Sequence, residues 1–361
     1  MIYLDYQATT PLAPEVRDAM LPWLSMEGSA NPHSAHVAGR AAKAAVEVAR
    51  EQVAALLPPG GRVFFTSGAT EAANWALRGV GSGGVVTLPT EHACVRDTAL
   101  WLGQRDHGVT FLPVETDGLV TSTAIAAGTR IVAAMLVNNE IGVTQPIAEL
   151  SARAREAGAL FFCDAVQGYG RIAIADTCDL IAISAHKIHG PKGIGALWIR
   201  DGVELEPLLF GGGQEGGIRS GTLSPALCAG FGAAAALMAS RREQDAAHVE
   251  ALWTRALTHI PDWEINGSRE HRYHGNLNIR RDGVNAARLI SEVRGVAFSA
   301  GSACASGSGR PSHVLKAIGL KDAQACSSIR LGFGRYTTEA EIDEALSLIT
   351  ASAHRQLSMV A

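Results

Sequence analysis

The chain of 361 residues is 47% hydrophobic and 18% charged, with a formal net charge of −4. That balance predicts a soluble globular protein with a large core and about two domains, and gives no electrostatic basis for holding nucleic acid or an anionic membrane. No apolar stretch approaches the roughly 20 residues of a spanning helix, and six cysteines (94, 163, 178, 228, 304, 326) without a C-x-x-C pair argue against a disulfide framework or zinc site and for a reducing, cytoplasmic setting.

In chain order, Met1–Asp5 reads as a strand start and not as a signal peptide. From about Arg62 to Arg200, short apolar runs alternate with helical patterns. The runs are Val63–Thr66, Val85–Leu88, Ile131–Val137, Leu160–Cys163, Leu180–Ser184 and Ala196–Ile199; the helices include Glu91–Asp106 and Ile147–Ala157, the latter between Pro146 and Gly158. Strands alternating with helices predict an α/β domain with a mainly parallel sheet. Ala-rich helices follow near Ser224–Arg241 and on to about Ile260. The order then changes to Gly275–Ile279, a helix near Asn285–Val293, Val296–Phe298, another helix, Ile329–Gly332 and a final helix from Thr338, which predicts a smaller α+β unit. The boundary falls inside the long helical region near residue 245. This gives a large domain of residues 13–245 and a small domain of residues 1–12 and 246–361.

The segment "SAGSACASGSGRPSHVL", Ser299–Leu315, places Cys304 among alanines, serines and glycines, with a helix start near Pro311. A structural cysteine normally sits among apolar neighbours; the composition around Cys304 is that of a mobile surface loop, at about residues 299–311, and alone it fits an exposed bystander equally well.

Nucleotide motifs are absent. No Walker A loop occurs, and "GPKGIGAL" precedes a strand where the dinucleotide fingerprint needs the reverse order. His186 with His189, or His33 with His36, lacks further ligands at metal-binding spacing. Of five lysines, Lys43, Lys316 and Lys321 read as solvated charges, while Lys187 and Lys192 follow directly on the run Leu180–Ile183. Ligands in α/β sheets bind at the carboxyl ends of strands, and a desolvated lysine there can form a Schiff base or simply pair with an anion. Another strand end supplies Asp164, which either caps its own loop or serves as the acid that keeps a pyridinium nitrogen protonated. "FFTSGATEAANWAL" reads as strand, glycine turn and helix, so the N–H groups of Gly68, Ala69 and Thr70 can cradle a phosphate, with Ser184, His186 and Thr222 as further donors.

The segments "YLDYQATTP", "FTSGATE", "EH", "VNNEIGVTQP", "DAVQ", "SAHKIHGPKGIGAL", "GGGQEGGIRSGT", "GSACASG" and "SSIRLGFGRYTT" occur in the order seen in cysteine desulfurases of the nitrogen-fixation and iron–sulfur-assembly type, class V relatives of the aminotransferases. The resemblance runs from Tyr3 to about Ile342. It implies the fold type I architecture of enzymes dependent on pyridoxal 5′-phosphate, a homodimer, L-cysteine as substrate and L-alanine as product. Lys187 would carry the cofactor and move the Cα proton. Asp164 would bind the pyridinium nitrogen, Gln167 the 3′-oxygen, and His92 would stack on the ring with a share in catalysis. Ala69, Thr70, Ser184 and His186 would hold the phosphate, with Thr222 arriving from the partner subunit. Asn139 would lie beside cofactor and substrate, Arg330 would clamp the substrate carboxylate, and Cys304 would take the sulfur as a persulfide. An unpartnered buried arginine in a strand is costly, which favours a bound anion at Arg330.

The same resemblance implies a sulfur-acceptor protein, either an iron–sulfur scaffold or a tRNA-thiolation protein. Selenocysteine lyase and a class V aminotransferase are the alternative activities. Gln7, His189 and Gly216 depart from the usual pattern of alanine, an aromatic residue and arginine. The chain stops about one turn after its last predicted helix, which leaves docking to a scaffold open.

Overall fold

The computed structural model describes residues 1–300 and 311–359. The chain opens with β1 (Ile2–Tyr3), α1 (Pro14–Met20) and α2 (Val37–Ala54), and then enters the alternating region. There it forms β2 (Gly61–Thr66), α3 (Ala69–Gly79), β3 (Gly84–Thr87), α4 (Ala93–Gly103), β4 (Val109–Phe111), β5 (Thr129–Met135), α5 (Ile147–Glu156), β6 (Leu160–Asp164), β7 (Leu180–Ser184) and β8 (Gly195–Arg200). These seven strands make one sheet in the order β2-β8-β7-β6-β5-β3-β4. Only β8 runs against its neighbours; the other pairings are parallel.

The apolar runs become strands because both faces of the sheet are covered. Side chains alternate between two cores, as the two-residue period requires. Val132 and Ala134 of β5 pack with α2, α5 and the long helix α6 (Pro225–Thr258), while Ile131 and Ala133 face α3 and α4. The predicted helix Glu91–Asp106 starts only at Ala93, because the His92 side chain accepts from Cys94 N and caps it. Strand β4, three half-buried or exposed residues, carried no readable pattern.

The remaining elements are β9 (Glu264–Ile265), β10 (Asn276–Arg280), α7 (Ala286–Glu292), β11 (Val296–Ala297), β12 (Ser299–Ala300), α8 (His313–Ala317), α9 (Asp322–Cys326), β13 (Ser328–Gly332) and α10 (Glu339–Ser358). Where one helix was expected before β13 there are two, split by the positive φ of Gly319. The second sheet is antiparallel, ordered β12-β13-β10-β9, and β1 joins β11 in parallel. Leu4, Leu277, Ile279, Leu331, Ile349 and Ala353 belong to its core. Helix α6 is continuous through residue 245. Its buried face passes from the first core at Met238 to the second at Leu252 and Trp253.

Candidate active site

A cleft of about 600 Å3 opens at the carboxyl ends of the parallel strands. Ala69 and Thr70 reach it from the start of α3, His92 from the cap of α4, and Asn139 from the segment after β5. Asp164 and Gln167 follow β6, Ser184, His186 and Lys187 follow β7, and Arg330 comes from β13 opposite. Residues spread over more than 260 positions thus share one wall. Thr222 is exposed and does not line this chain's cleft, and Cys304 lies outside the described residues.

Lys187 sits in a single tight turn, Ala185–Lys187, directly after β7. Its Nζ donates to the carbonyls of Gln7 (2.5 Å) and Ala8 (2.7 Å). The turn is clamped from outside: Thr10 N and Oγ1 both donate to His186 O, and His189 N donates to Thr10 Oγ1 at 2.7 Å. His189 itself takes φ +67°, a left-handed conformation uncommon for a non-glycine residue. Its ring offsets that strain by meeting Tyr6 and Tyr336 edge-on and hydrogen bonding to Pro11 O. This explains how a histidine replaces the aromatic residue expected there.

The cleft's charges are tuned by burial. His186 bonds to Thr9 Oγ1 and is held down to about 4 by desolvation and then by Lys187 and Lys192, so it is neutral at physiological pH. Asp164 is pushed above its ordinary value by burial, opposed by His92, by the N–H of Val166 at 3.0 Å and by Lys187. The carboxylate caps its own loop and also lines the cleft. The Nδ1 of His92 accepts the N–H of Cys94 at 3.2 Å, which leaves its proton on Nε2 in the neutral ring.

At the α3 N-terminus, Gly68 approaches the first residue of β8 so closely that a Cβ on Gly195 would stand 2.8 Å from the Gly68 backbone. Glu71 accepts from Ser67 N and is held by Arg219 at 2.7 Å, which fixes the turn while the N–H groups at the helix start face the cleft. Opposite, Arg330 is 1% exposed. The expectation of an arginine without a protein partner is corrected: Nη2 pairs with Asp5 Oδ1 at 2.7 Å and Nη1 donates to Asn139 O at 3.1 Å. Among the described residues, Arg330 Nε and Asn139 Oδ1, both buried, have no partner. A lysine and a carboxylate on neighbouring strand ends, a helix-start cradle and open donor capacity opposite fit pyridoxal phosphate with an amino acid.

The class-V aminotransferase family model matches residues 2–345. The cysteine desulfurase IscS of Rickettsia typhi is 44% identical over 369 residues, covering 96% of this chain and 90% of that protein. Among solved structures, a NifS-like protein superposes with a TM-score of 0.89 at 31% identity, over 97% of this chain and 98% of that one. SspA in complex with cysteine gives 0.83 at 34% identity, over 94% and 100%. The chain belongs to the cysteine desulfurases of the class-V aminotransferase family.

Two buried acids next in the chain to the cleft-lining residues His92 and Asn139, namely Glu91 and Glu140, carried no sequence signal of a role, while Gln7, a departure from the family pattern, lines the desulfurase's cleft itself. Glu91 is fully buried, accepts Met135 N at 2.9 Å through Oε1, and is pushed well up by burial and then by Asp164. Glu140 accepts from Ser312 Oγ and is raised to about 7 by burial, with Ser312, Arg330 and His92 opposing. Gln7 is the departure with the clearest structural consequence. Its amide donates to Gly275 O at 2.8 Å, and its Oε1 occupies the space a side chain at position 332 would need. Its carbonyl thereby stays aimed at Lys187 and at Gln167 Nε2. Gly216 has φ +70°, which glycine adopts at no steric cost.

Proposed function

We propose that this chain is a pyridoxal 5′-phosphate-dependent cysteine desulfurase that converts L-cysteine to L-alanine and takes the sulfur on Cys304 as a persulfide. The observation that carries the reading is Lys187 and Asp164 at neighbouring strand ends, facing Arg330 across one cleft. When bound, the cofactor supplies an electron-withdrawing ring that stabilises negative charge at the substrate Cα.

The chain's own groups do the rest. Lys187 would hold the cofactor and would take the Cα proton at Nζ. The Gln7 and Ala8 carbonyls would receive that amine while it is released from the cofactor. The Asp164 carboxylate would pair with the ring nitrogen, whose positive charge would offset the desolvation that raises Asp164. Ala69, Thr70, Ser184 and neutral His186 hold the phosphate, Gln167 the ring oxygen, and His92 covers the ring face. Asn139 and the open Nε of Arg330 orient the substrate carboxylate. The Cys304 thiolate attacks the substrate sulfur. A sulfur–sulfur bond forms as the Cβ–sulfur bond breaks, and protonation leaves alanine.

Residues 13–245 form the cofactor domain in this reading, and residues 1–12 with 246–361 the small domain bearing the cysteine loop. The active species is a cytoplasmic homodimer in which each Thr222 serves the other subunit's phosphate. The persulfide passes to an iron–sulfur scaffold or tRNA-thiolation protein. Cys304→Ala tests the central role: it should keep the visible absorption of the bound cofactor and abolish sulfide release from cysteine, and retained turnover refutes the assignment.

A further inference from the structure

We infer that the protein has a second ligand site: an interdomain cleft that binds a small organic carboxylate with an apolar body. This cleft, of about 220 Å3, lies between α6, the segment after β13 and residues 170–172 and 272–274. Four arginines line it, Arg171, Arg242, Arg272 and Arg335, against two acids, Asp245 and Glu250.

Both acids are already engaged. Asp245 accepts from Arg335 at 2.5 Å and lies 3.5 Å from Arg241, and Glu250 meets His274 at 2.5 Å. Among the described residues, no carboxylate pairs with the other three arginines of the cleft. Arg171 donates through its two Nη atoms to the carbonyls of Gln167 and Lys187, and Arg272 through its own to those of Ser268, Ile141 and Asn276, while among the described residues Arg272 Nε and Arg335 Nη1 are buried without a partner. Arg272 is 8% exposed, and burial followed by Arg269 holds it down to about 10, as expected of a cation without a counter-charge. Arg242 is exposed at the rim.

Concentrated positive charge between low-dielectric walls attracts an anion, and a guanidinium fork suits a planar carboxylate. The remaining walls carry Ile172, Met238, Val249 and the rings of Tyr6 and Tyr273, together with His189 and His274. Arg171 stacks on Tyr273, with its guanidinium carbon 5.3 Å from the ring centre, so an aromatic or branched body has a matching surface. The volume is below that of a drug-sized pocket, which sets the ligand as small. Because Arg171 also donates to the Lys187 carbonyl, an occupant would touch the backbone that carries the catalytic amine.

The test is calorimetric titration of the cofactor-loaded protein with benzoate at low salt. One saturable site is expected. Arg242→Met should weaken it about tenfold, the size of one charged hydrogen bond. Ala246→Trp, which fills the mouth from an exposed position, should weaken it at least as much. L-alanine, which occupies the catalytic cleft, should not displace benzoate. Absence of saturable binding, an unchanged affinity in either variant, or displacement by L-alanine overturns the proposal.

Discussion

Lys187 Nζ donates to two backbone carbonyls of the N-terminal segment, Gln7 O and Ala8 O, which fix the side chain at the end of β7. In the proposed mechanism, replacing it with alanine removes the proton carrier, and turnover of L-cysteine should fall by about 10²- to 10⁴-fold or more, measured as alanine formed. Lys187 and Asp164 were legible because a strand end announces itself in sequence and the residue after it inherits the position. Glu140 was not, since its partner Ser312 lies 172 positions away and nothing local marks the contact. Its environment has a testable sign. The folded state raises Glu140 from 4.5 to about 7, so the fold prefers the protonated form. Its contribution is undiminished below 4.5 and is lost progressively as pH rises from 4.5 to 7. Glu140→Gln should therefore gain on the native protein by about 3 kcal/mol between those limits. Urea unfolding of both proteins at the two ends of the window checks this, and a pH-independent difference contradicts it.

The glycine-rich segment 211–222 shows what an element owes to a distant anchor. Glu215 has φ +49° and is buried, and Arg50 of α2 grips it with two bonds of 2.7 and 2.8 Å while Phe65 N donates to it at 2.8 Å. Arg50→Met leaves the carboxylate buried without its cation, and should cost about 3–5 kcal/mol in urea unfolding. A loss below 1 kcal/mol would show the pair to be dispensable. The strands β5 to β8 were readable because burial on both faces forces continuous apolar runs. β4 was not, as three partly exposed residues leave no period to find. The long helix was read as two Ala-rich stretches. It is one element because Pro225 starts it behind the Ser224 cap and no glycine or proline interrupts it after Gly232.

For the whole molecule, the change from alternating strands and helices to a smaller antiparallel sheet was visible in the order of patterns. The closure of the site was not, because it joins Asp5 to Arg330 and Gln7 to Gly275 across nearly the full chain. Thr222 belongs to the same scale: exposed here and absent from this chain's cleft, it has a role only if a second copy brings it in. If the proposed homodimer forms, Thr222→Ala should leave it intact by sedimentation yet weaken pyridoxal phosphate binding about tenfold in titration of the cofactor-free protein. Unchanged affinity would remove the partner from the phosphate site.

The most direct measurement is mass spectrometry of the cofactor-loaded protein after one turnover with L-cysteine and no reductant. One additional sulfur atom on the peptide containing Cys304, matched by one alanine released per chain, is the predicted result. Sulfur found on Cys94 or Cys326 instead, or alanine released with no sulfur retained, would contradict the account.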